Sequence, residues 1–366
     1  MLNDKVKITQ LDSKNMLGSI QLLGKQVEEV LAEAKKVKIS AAYKKVNNIV
    51  VLGMGGSALG AHLIKSVFFA ELKISVEIVN GYRAPGFVNK NSLVIASSYS
   101  GSTEEIINAV ADAKKRKAKI MVIASGGKLA NWAKQNKIPA LIFTTKNNPC
   151  GSPRMGLGYS IFGQITLLAN AGILKLSSTE IKNVLQTISK CNLLFGIDNP
   201  EEKPARTTNI VQSGGNPAKQ LAISMVDKSV WYAASEHLAG NAHIAANQMN
   251  ENAKRFAGYF VVPEMNHHLM EGLLSPENNN QSMQFLLLES GLYDERVQKR
   301  YEITKQILDK NNIGNVSYAC REKNKFLQAC EALVLFSYVS FYSAMLQGID
   351  PTAIPVVDFF KEQLKK

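Results

Sequence analysis

Hydroxyl side chains cluster in the turn that follows the third predicted strand. Ser98, Ser100, Ser102 and Thr103 stand close together, directly before a predicted helix. A helix N-terminus offers free N–H groups and the positive end of the helix dipole, and a phosphate accepts many hydrogen bonds. Ser102 and Glu105 would also suit an ordinary capping box, but these hydroxyls exceed what one cap requires. The turn therefore favours a phosphate site over a simple helix start.

A glycine-rich turn, Gly53–Ala58, follows the first predicted strand. Its spacing G-x-G-x-x-A matches a loose dinucleotide-binding fingerprint, which is weak evidence on its own. A Rossmann site also needs an acidic residue at the end of the second strand, but Asn80 stands there. The turn does not match an ATP P-loop either, because Gly60 is not followed by Lys and then Ser or Thr. A turn required only for close packing is the structural alternative. If the two turns are neighbours, Gly56 and Ser57 join the serine turn in one phosphate site.

Short apolar strands alternate with helical patterns, which predicts parallel, doubly wound sheets of the α/β class. The predicted strands are Asn48–Leu52, Ile74–Val79, Leu93–Ser97, Lys119–Ala124, Ala140–Thr144, Ser229–Ala234, Tyr259–Pro263, Gln284–Leu288 and Asn315–Ala319. The helices predicted with both ends are Met16–Lys36, Thr103–Lys117, Leu129–Gln135, Asp294–Lys310 and Phe326–Leu346. Further helices are predicted after the glycine turn, over residues 155–195, in the segment that ends near Lys254, and around Lys361. The alternation restarts after a predicted linker, Asp198–Pro204. Two α/β units of similar plan are therefore expected.

The charge of the chain favours an anionic partner. Its 366 residues include 43 Lys and Arg against 30 Asp and Glu, a formal net charge of +13. Nucleic acid, an acidic membrane surface and a phosphorylated small molecule all suit such an excess. The basic run Lys114–Lys117 lies on a predicted helix and is more typical of a solvated helix face than of a nucleic-acid site. Because the hydroxyl-rich turn points to phosphate, we expect a small-molecule partner and neither nucleic acid nor membrane.

The cysteines and the apolar segments predict a cytoplasmic protein. Cys150, Cys191, Cys320 and Cys330 lie far apart with no CxxC spacing, which is typical of a reducing compartment. The N-terminus has no apolar secretory segment. No window of 18 apolar residues is free of charge, so no transmembrane span is predicted.

The glycine turn and the serine turn together resemble the sugar isomerase (SIS) domain, which binds phosphosugars. Three later motifs, Pro153–Tyr159, Asn250–Lys254 and Pro263–His268, are similar to motifs of the bifunctional phosphoglucose/phosphomannose isomerase family. The matches cover nearly the whole chain in the family's order. The resemblance implies two tandem SIS domains, each a flavodoxin-like, doubly wound parallel sheet with helices on both faces. We place them at residues 1–175 and 176–366.

The same resemblance implies a reaction and the residues that carry it. The reaction is reversible aldose–ketose isomerisation of fructose 6-phosphate with glucose 6-phosphate, and with mannose 6-phosphate, through an enediolate and without a cofactor or metal. Glu251 is the implied base that shuttles the proton, and Arg154 is the implied substrate contact that stabilises the enediolate. His267, with Lys361 as its partner, is the implied acid for ring opening, because an imidazole titrates near neutrality. In related isomerases this histidine comes from the neighbouring subunit, which implies a homodimer.

Each of these residues also has a structural alternative. A lone helix glutamate, a loop arginine and a C-terminal lysine are ordinarily solvated surface groups. His267 and His268 could bind a metal together only if their side chains converged. Side chains of adjacent residues point apart, and no third ligand is suitably spaced, so no metal site is expected here. Other classes of protein also remain open: a non-catalytic phosphosugar-binding regulator, a dinucleotide oxidoreductase, a fragment of an isomerising amidotransferase, and an isomerase for another sugar phosphate.

Overall fold

Two parallel β-sheets form the centre of the protein. The computed structural model describes residues 2–200 and 215–364. The first sheet contains β1 (Asn48–Leu52), β2 (Ser75–Val79), β3 (Ser92–Ser98), β4 (Lys119–Ala124) and β5 (Ala140–Ile142). The second contains β6 (Ser229–Ser235), β7 (Ala257–Val262), β8 (Met283–Glu289) and β9 (Gly314–Ala319). The strand orders, β2-β1-β3-β4-β5 and β7-β6-β8-β9, follow one plan, because the first strand of each sheet lies between the second and the third.

Helices cover both faces of the first sheet, which confirms the predicted fold class. The helices of the described residues are α1 (Lys5–Leu11), α2 (Met16–Gln21), α3 (Leu23–Ala34), α4 (Gly56–Val67), α5 (Glu104–Lys115), α6 (Gly127–Gln135), α7 (Gly163–Asn170), α8 (Ser178–Phe195), α9 (Pro217–Ser224), α10 (Ala239–Asn252), α11 (Met265–His268), α12 (Asn279–Ser282), α13 (Glu295–Lys310), α14 (Lys325–Leu346) and α15 (Pro355–Gln363). Along β1 the side chains alternate between faces. Val50 and Leu52 pack with α5 and α6, and Ile49 and Val51 face an interior shared with the second sheet.

Helices α4 and α10, which follow the first strand of each sheet, pack against each other in opposite directions. Gly240, near the start of α10, touches the end of α4. A Cβ at Gly240 would stand 2.6 Å from the carbonyl oxygen of His62, and the Gly240 N–H donates to Ser66 Oγ at 3.2 Å. The end of α10 therefore lies towards the start of α4, where the glycine turn is.

The apolar helix α14 belongs to the core. By length and composition alone it could cross a membrane, but 94% of its most apolar window is buried inside the protein. Its Glu331 carboxylate accepts hydrogen bonds from the Tyr318 hydroxyl at 2.7 Å and from the Glu322 N–H at 3.0 Å. Burial raises the pKa of this carboxyl. The one acidic group within α14 is thus satisfied by internal donors.

The structure corrects one predicted helix. The predicted helix Met16–Lys36 is wrong as a single element, because the chain breaks at Leu22 into α2 and α3. Apolar residues continue at helical spacing through the break, so periodicity alone could not reveal it. By contrast, β1 and β4 have their predicted bounds.

Two further differences concern the middle of the chain. Helix α9 is absent from the predictions although its start carries a visible signal: the Asn216 side chain accepts from the N–H groups of residues 218 and 219, and Pro217 follows. Residues 201–204 of the predicted linker lie outside the described residues. The domain boundary between residues 175 and 176 stays a prediction.

Substitution of Gly240 by alanine tests the close packing of α4 on α10. The new Cβ would stand 2.6 Å from a backbone oxygen, which moves only if α4 moves. Overpacking costs about 1–3 kcal/mol and outweighs the gain of up to about 1 kcal/mol in helix propensity. We expect Gly240→Ala to lower the free energy of unfolding in urea titrations. Gly272→Ala is the matched control, since nothing lies within 4 Å of its Cβ position; equal losses in the two variants would contradict the prediction.

Candidate active site

The glycine turn and the serine turn lie side by side at the carboxyl edge of the first sheet. Ser57, in the first turn of α4, accepts a hydrogen bond on Oγ from the Tyr99 N–H at 2.8 Å. Its carbonyl oxygen accepts from Ser97 Oγ at 2.9 Å. Gly55 closes the glycine turn with φ +47°, in left-handed backbone that favours glycine. The structure therefore brings Gly56 and Ser57 next to the serine turn.

Hydroxyl groups cross-link the serine turn itself. Ser98 Oγ lies 2.8 Å from Thr103 Oγ1 and accepts from the Gly101 N–H at 3.1 Å. Ser100 is exposed, and its Oγ accepts from the Ser102 N–H at 3.3 Å. These bonds fix the shape of the turn while Ser100 keeps its hydroxyl open to solvent.

The start of α5 lacks a side-chain cap. Thr103 is the N-cap residue and makes no side-chain cap hydrogen bond, so the capping box of Ser102 and Glu105 does not form. The first N–H groups of a helix have no partner within the helix. These donors and the serine hydroxyls therefore suit a bound anion such as a phosphate.

Arg154 lies where the two halves of the chain meet. Only 2% of its surface is exposed, so the surface alternative for this arginine is wrong. Nε lies 2.5 Å from Asn252 Oδ1, and Nη1 lies 3.3 Å from Glu251 Oε2. Nη2 donates to the carbonyl oxygens of Pro351 and Thr352, each at 3.0 Å. Burial lowers the pKa of Arg154 and the Glu251 carboxylate opposes that shift; a guanidinium stays charged in either case.

Glu251 stands in the last turn of α10, with 32% of its side chain exposed. One side of the carboxylate is therefore open, and the other is paired with Arg154. Gly56 brings the glycine turn to the same place, because a Cβ there would stand 2.8 Å from the Pro153 carbonyl oxygen and 2.9 Å from the Arg154 nitrogen. A phosphorylated ligand held by the turns would thus lie beside a carboxylate base and a fixed cation.

Lys254 is a site residue to which the sequence pattern assigns no role. Its Nζ donates to the carbonyl oxygens of Asn252 at 3.1 Å and of Asp350 at 2.6 Å. Although Lys254 as a whole is exposed, partial burial, and then the nearby Arg154 guanidinium, lower the pKa of Lys254 to about 8. Lys254 and Arg154 thus hold the same C-terminal turn against the end of α10. The only sequence signal for Lys254 is its spacing of three residues from Glu251.

His267 lies away from Glu251 in the same chain. It is exposed on α11, which follows the carboxyl end of β7. Glu251 precedes the start of β7 at Ala257, and the strand then runs about 16 Å to Val262. The two residues therefore lie at opposite edges of the second sheet, and a single chain does not bring them together.

Lys361 lies on α15, which begins three residues after Thr352. Every residue of α15 is exposed. The apolar side chains of Val356, Phe359 and Phe360 are 80%, 61% and 62% exposed. Lys361 therefore lies nine residues after Thr352, whose carbonyl oxygen accepts from Arg154, on a helix that the rest of the described chain leaves uncovered.

Two family models match the chain. The SIS domain matches residues 42–139, and the bacterial phospho-glucose isomerase C-terminal SIS domain matches residues 215–364. Among curated proteins, the bifunctional phosphoglucose/phosphomannose isomerase of Caldicellulosiruptor bescii is 30% identical over 352 residues, which cover 95% of this chain and 98% of that protein. The protein of the same description from Aquifex aeolicus is 30% identical over 326 residues, which cover 87% and 90%.

Solved structures share the fold at lower identity. A hypothetical protein from Thermus thermophilus has a TM-score of 0.71 at 17% identity, with 99% of this chain and 93% of that chain covered. The C-terminal domain of glucosamine-fructose-6-phosphate aminotransferase from Francisella tularensis has a TM-score of 0.60 at 12% identity, with 91% and 97% covered. At these identities the likeness concerns the fold alone.

The lowered pKa of Lys254 gives stability a pH dependence of known sign. Below about pH 8 the ammonium is charged in the folded and the unfolded chain alike. Between about 8 and the ordinary value near 10.4, the folded protein has lost a proton that the unfolded chain still holds, so the free energy of unfolding rises with pH. We expect wild type to gain stability relative to Lys254→Met between pH about 7.5 and about 9.5 in urea titrations.

Lys128→Met is the matched control for this prediction, because Lys128 is an exposed lysine on α6. The stability of wild type relative to this control should change little over the same pH interval. The same pH trend for both substitutions would show that the effect does not come from Lys254.

Proposed function

The chain belongs to the bifunctional phosphoglucose/phosphomannose isomerase family, and from this membership we propose that it interconverts fructose 6-phosphate with glucose 6-phosphate and with mannose 6-phosphate. The observation that carries the proposal is the Arg154–Glu251 pair, held beside the glycine and serine turns. In the open-chain sugar, one proton moves between C2 of the aldose and C1 of the ketose. A second proton moves between the two neighbouring oxygens, so nothing is gained or lost overall.

Glu251 is the proposed proton carrier. Its carboxylate removes the C2 proton of the aldose, which leaves an enediolate, and the same carboxyl group returns the proton to C1. The half-exposed position of Glu251 supports this role, since a base must be open to substrate on one side. The ion pair with Arg154 fixes the position of the carboxylate, as a base that must meet one carbon-bound proton requires.

Arg154 is the proposed stabiliser of the enediolate. A guanidinium has five N–H donors, and in the described structure four of them bond to Asn252, Glu251, Pro351 and Thr352. One Nη1–H is left for a substrate oxygen. A cation fixed in this way before the reaction stabilises negative charge as it forms on that oxygen.

The phosphate of the sugar is proposed to bind at the two turns. Ser57, Ser98, Ser100 and Thr103 supply hydroxyl groups, and the uncapped start of α5 supplies N–H donors. Binding there would hold C1 and C2 near Glu251, because Gly56 packs directly on the Pro153–Arg154 peptide.

A homodimer is proposed to complete the site. Ring opening needs a proton donor near the ring oxygen, and we assign this role to His267 with Lys361 as its partner. Since β7 separates His267 from Glu251 of its own chain, the imidazole would come from a second copy. The uncovered apolar face of α15 supports such an association. We further propose a cytoplasmic location, consistent with four free cysteines.

Glu251→Gln tests the proton transfer. The amide keeps the shape of the side chain but cannot accept the proton, so we expect kcat to fall by at least about 10²-fold. Product sugars formed from fructose 6-phosphate would be followed by NMR, together with exchange of the C2 proton in D2O. Glu302→Gln, at an exposed position on α13, is the control and should behave as wild type. If Glu251→Gln still exchanged the C2 proton at the wild-type rate, Glu251 would not be the proton carrier.

Mixing two inactive variants tests the shared site. In a dimer of one Glu251→Gln chain and one His267→Ala chain, one of the two sites has both native residues. Random exchange of subunits should therefore restore about one quarter of wild-type activity. If mass measurement showed mixed dimers but activity did not recover, the proposal would be wrong. His267 would then either act in the site of its own chain or take no part in catalysis.

A further inference from the structure

The last helix of the described chain, α15, carries an apolar stripe that the chain itself leaves in water. Val356, Phe359, Phe360 and Leu364 follow the spacing i, i+3, i+4 and i+8, which places them along one side of the helix. These four residues are between 61% and 80% exposed, and no residue of α15 is buried. A helix of nine residues is marginal in water by itself, so α15 needs a packing partner.

A large cleft lies at the carboxyl edge of the second sheet, and we call it the second cleft. Its volume is about 910 Å³, and the last turn of α4, the turn after β6 and the start of α14 form its walls. Its lining includes the apolar side chains of Phe68, Phe69, Tyr259, Val261 and Phe326. Phe69 is 82% exposed, and the charged lining residues include both glutamates and lysines. The cleft therefore leaves apolar surface open without selecting a charged small molecule of either sign.

The second cleft and α15 flank the two halves of the proposed shared site. Val261 lines the cleft one residue before β7 ends, and α11, which carries His267, begins three residues after that strand. Helix α15 begins three residues after Thr352, whose carbonyl oxygen accepts from Arg154. Each chain therefore carries the cleft on the side of His267 and α15 on the side of Arg154.

A two-fold axis would bring these two sides together twice. In the proposed homodimer, His267 of one copy reaches the Arg154–Glu251 pair of the other. An isologous contact of this kind pairs the same two surfaces in both directions. The side of His267 in each copy thus faces the side of Arg154 in the other copy, so each second cleft faces an α15.

We propose that the second cleft receives the apolar stripe of α15 from a second copy of this chain. The inference rests on the proposed homodimer and names the contact that builds it. Phe359 and Phe360 pack against Phe69 and the other apolar lining residues. Lys361 follows Val356 by five residues and lies outside the stripe, so it stays available to the site.

The exposed area of the stripe is sufficient for such a contact. A phenylalanine covers about 200 Å², so Phe359 and Phe360 leave roughly 250 Å² of apolar surface in water. A two-fold dimer would bury this surface twice, together with an equal area of the two clefts, or roughly 1,000 Å² in total. That total is about the area that a specific interface needs.

A membrane surface is another partner that an apolar helix stripe could have. Helices that lie on membranes are rich in Lys and Arg on their polar side. Within α15, Asp358 and Glu362 stand against the single cation Lys361. The charge of the helix therefore favours a protein partner.

Disulfide capture tests the contact directly. Phe69→Cys and Phe360→Cys would be introduced into separate full-length chains, one with a mass tag, which are then co-expressed and mildly oxidised. We expect a covalent dimer with one chain of each kind, detected by mass measurement and released by reductant. In the control, Lys134→Cys replaces Phe69→Cys, because Lys134 is exposed on α6, on the face of the first sheet turned away from the second. No covalent dimer in the test pair, or an equal amount in the control, would overturn the inference.

Charge substitution measures how much the contact contributes to the dimer. Phe360→Asp places a carboxylate in the stripe, and Phe69→Asp places one at the cleft. Each should raise the Kd of the dimer at least about tenfold in analytical ultracentrifugation, because buried aromatic side chains dominate such contacts. Leu193→Asp is the matched control, since Leu193 is 79% exposed on α8 and lies outside the cleft.

The outcomes separate this inference from the proposed reaction. Wild type and both variants with equal dimer stability would show that the inference is wrong, whereas proton transfer by Glu251 and the shared site would keep their own tests. A monomeric wild type would overturn the inference and the shared site together, but not the role of Glu251. Monomeric protein that bound phosphatidylglycerol vesicles, and lost this binding in Phe360→Asp, would overturn the inference in favour of a membrane.

Discussion

The buried guanidinium of Arg154 is the constraint on which the site depends. A charge with 2% exposure is costly to bury unless its donors find acceptors, and four of the five N–H groups of Arg154 do. Its partners come from the end of α10 and from the turn before α15, roughly one hundred and two hundred residues further along the chain. Removing any partner would leave a buried donor without an acceptor. The two halves of the chain must therefore dock correctly before the site can exist.

The sequence predicts the parts of the site that depend on local pattern. Strands such as β1 and β4 are short apolar runs bounded by turn residues. The glycine turn and the serine turn, which we propose as the phosphate site, follow from glycine and hydroxyl placement. The role of Arg154 comes only from resemblance, because an isolated arginine has no signature of burial. Its partners cannot be deduced, since they are fixed by how the two sheets pack. The distance from Glu251 to His267 likewise becomes visible only when β7 is placed between them.

The antiparallel packing of α4 on α10 places a strand-to-helix turn at each end of the crossing. Both ends of the α4–α10 crossing meet the carboxyl edge of a parallel sheet, where ligands bind in such folds. At one end the turn is rich in glycine and carries no acidic side chain. At the other end, Glu236 stands in the turn and its carboxylate accepts from the Asp294 N–H at 2.8 Å. The two turns therefore differ in the side chains that they present at the same position of the fold.

Gly56 shows why a glycine in a sequence motif need not report on ligand binding. A side chain there would collide with the protein's own Pro153–Arg154 peptide, whether or not any ligand is bound. A descendant that had lost all affinity for phosphate would still need this glycine to fold. Gly56 occupies an unspecified position of the G-x-G-x-x-A spacing, so a search that relies on that spacing would find this protein without testing the glycine that its own packing requires.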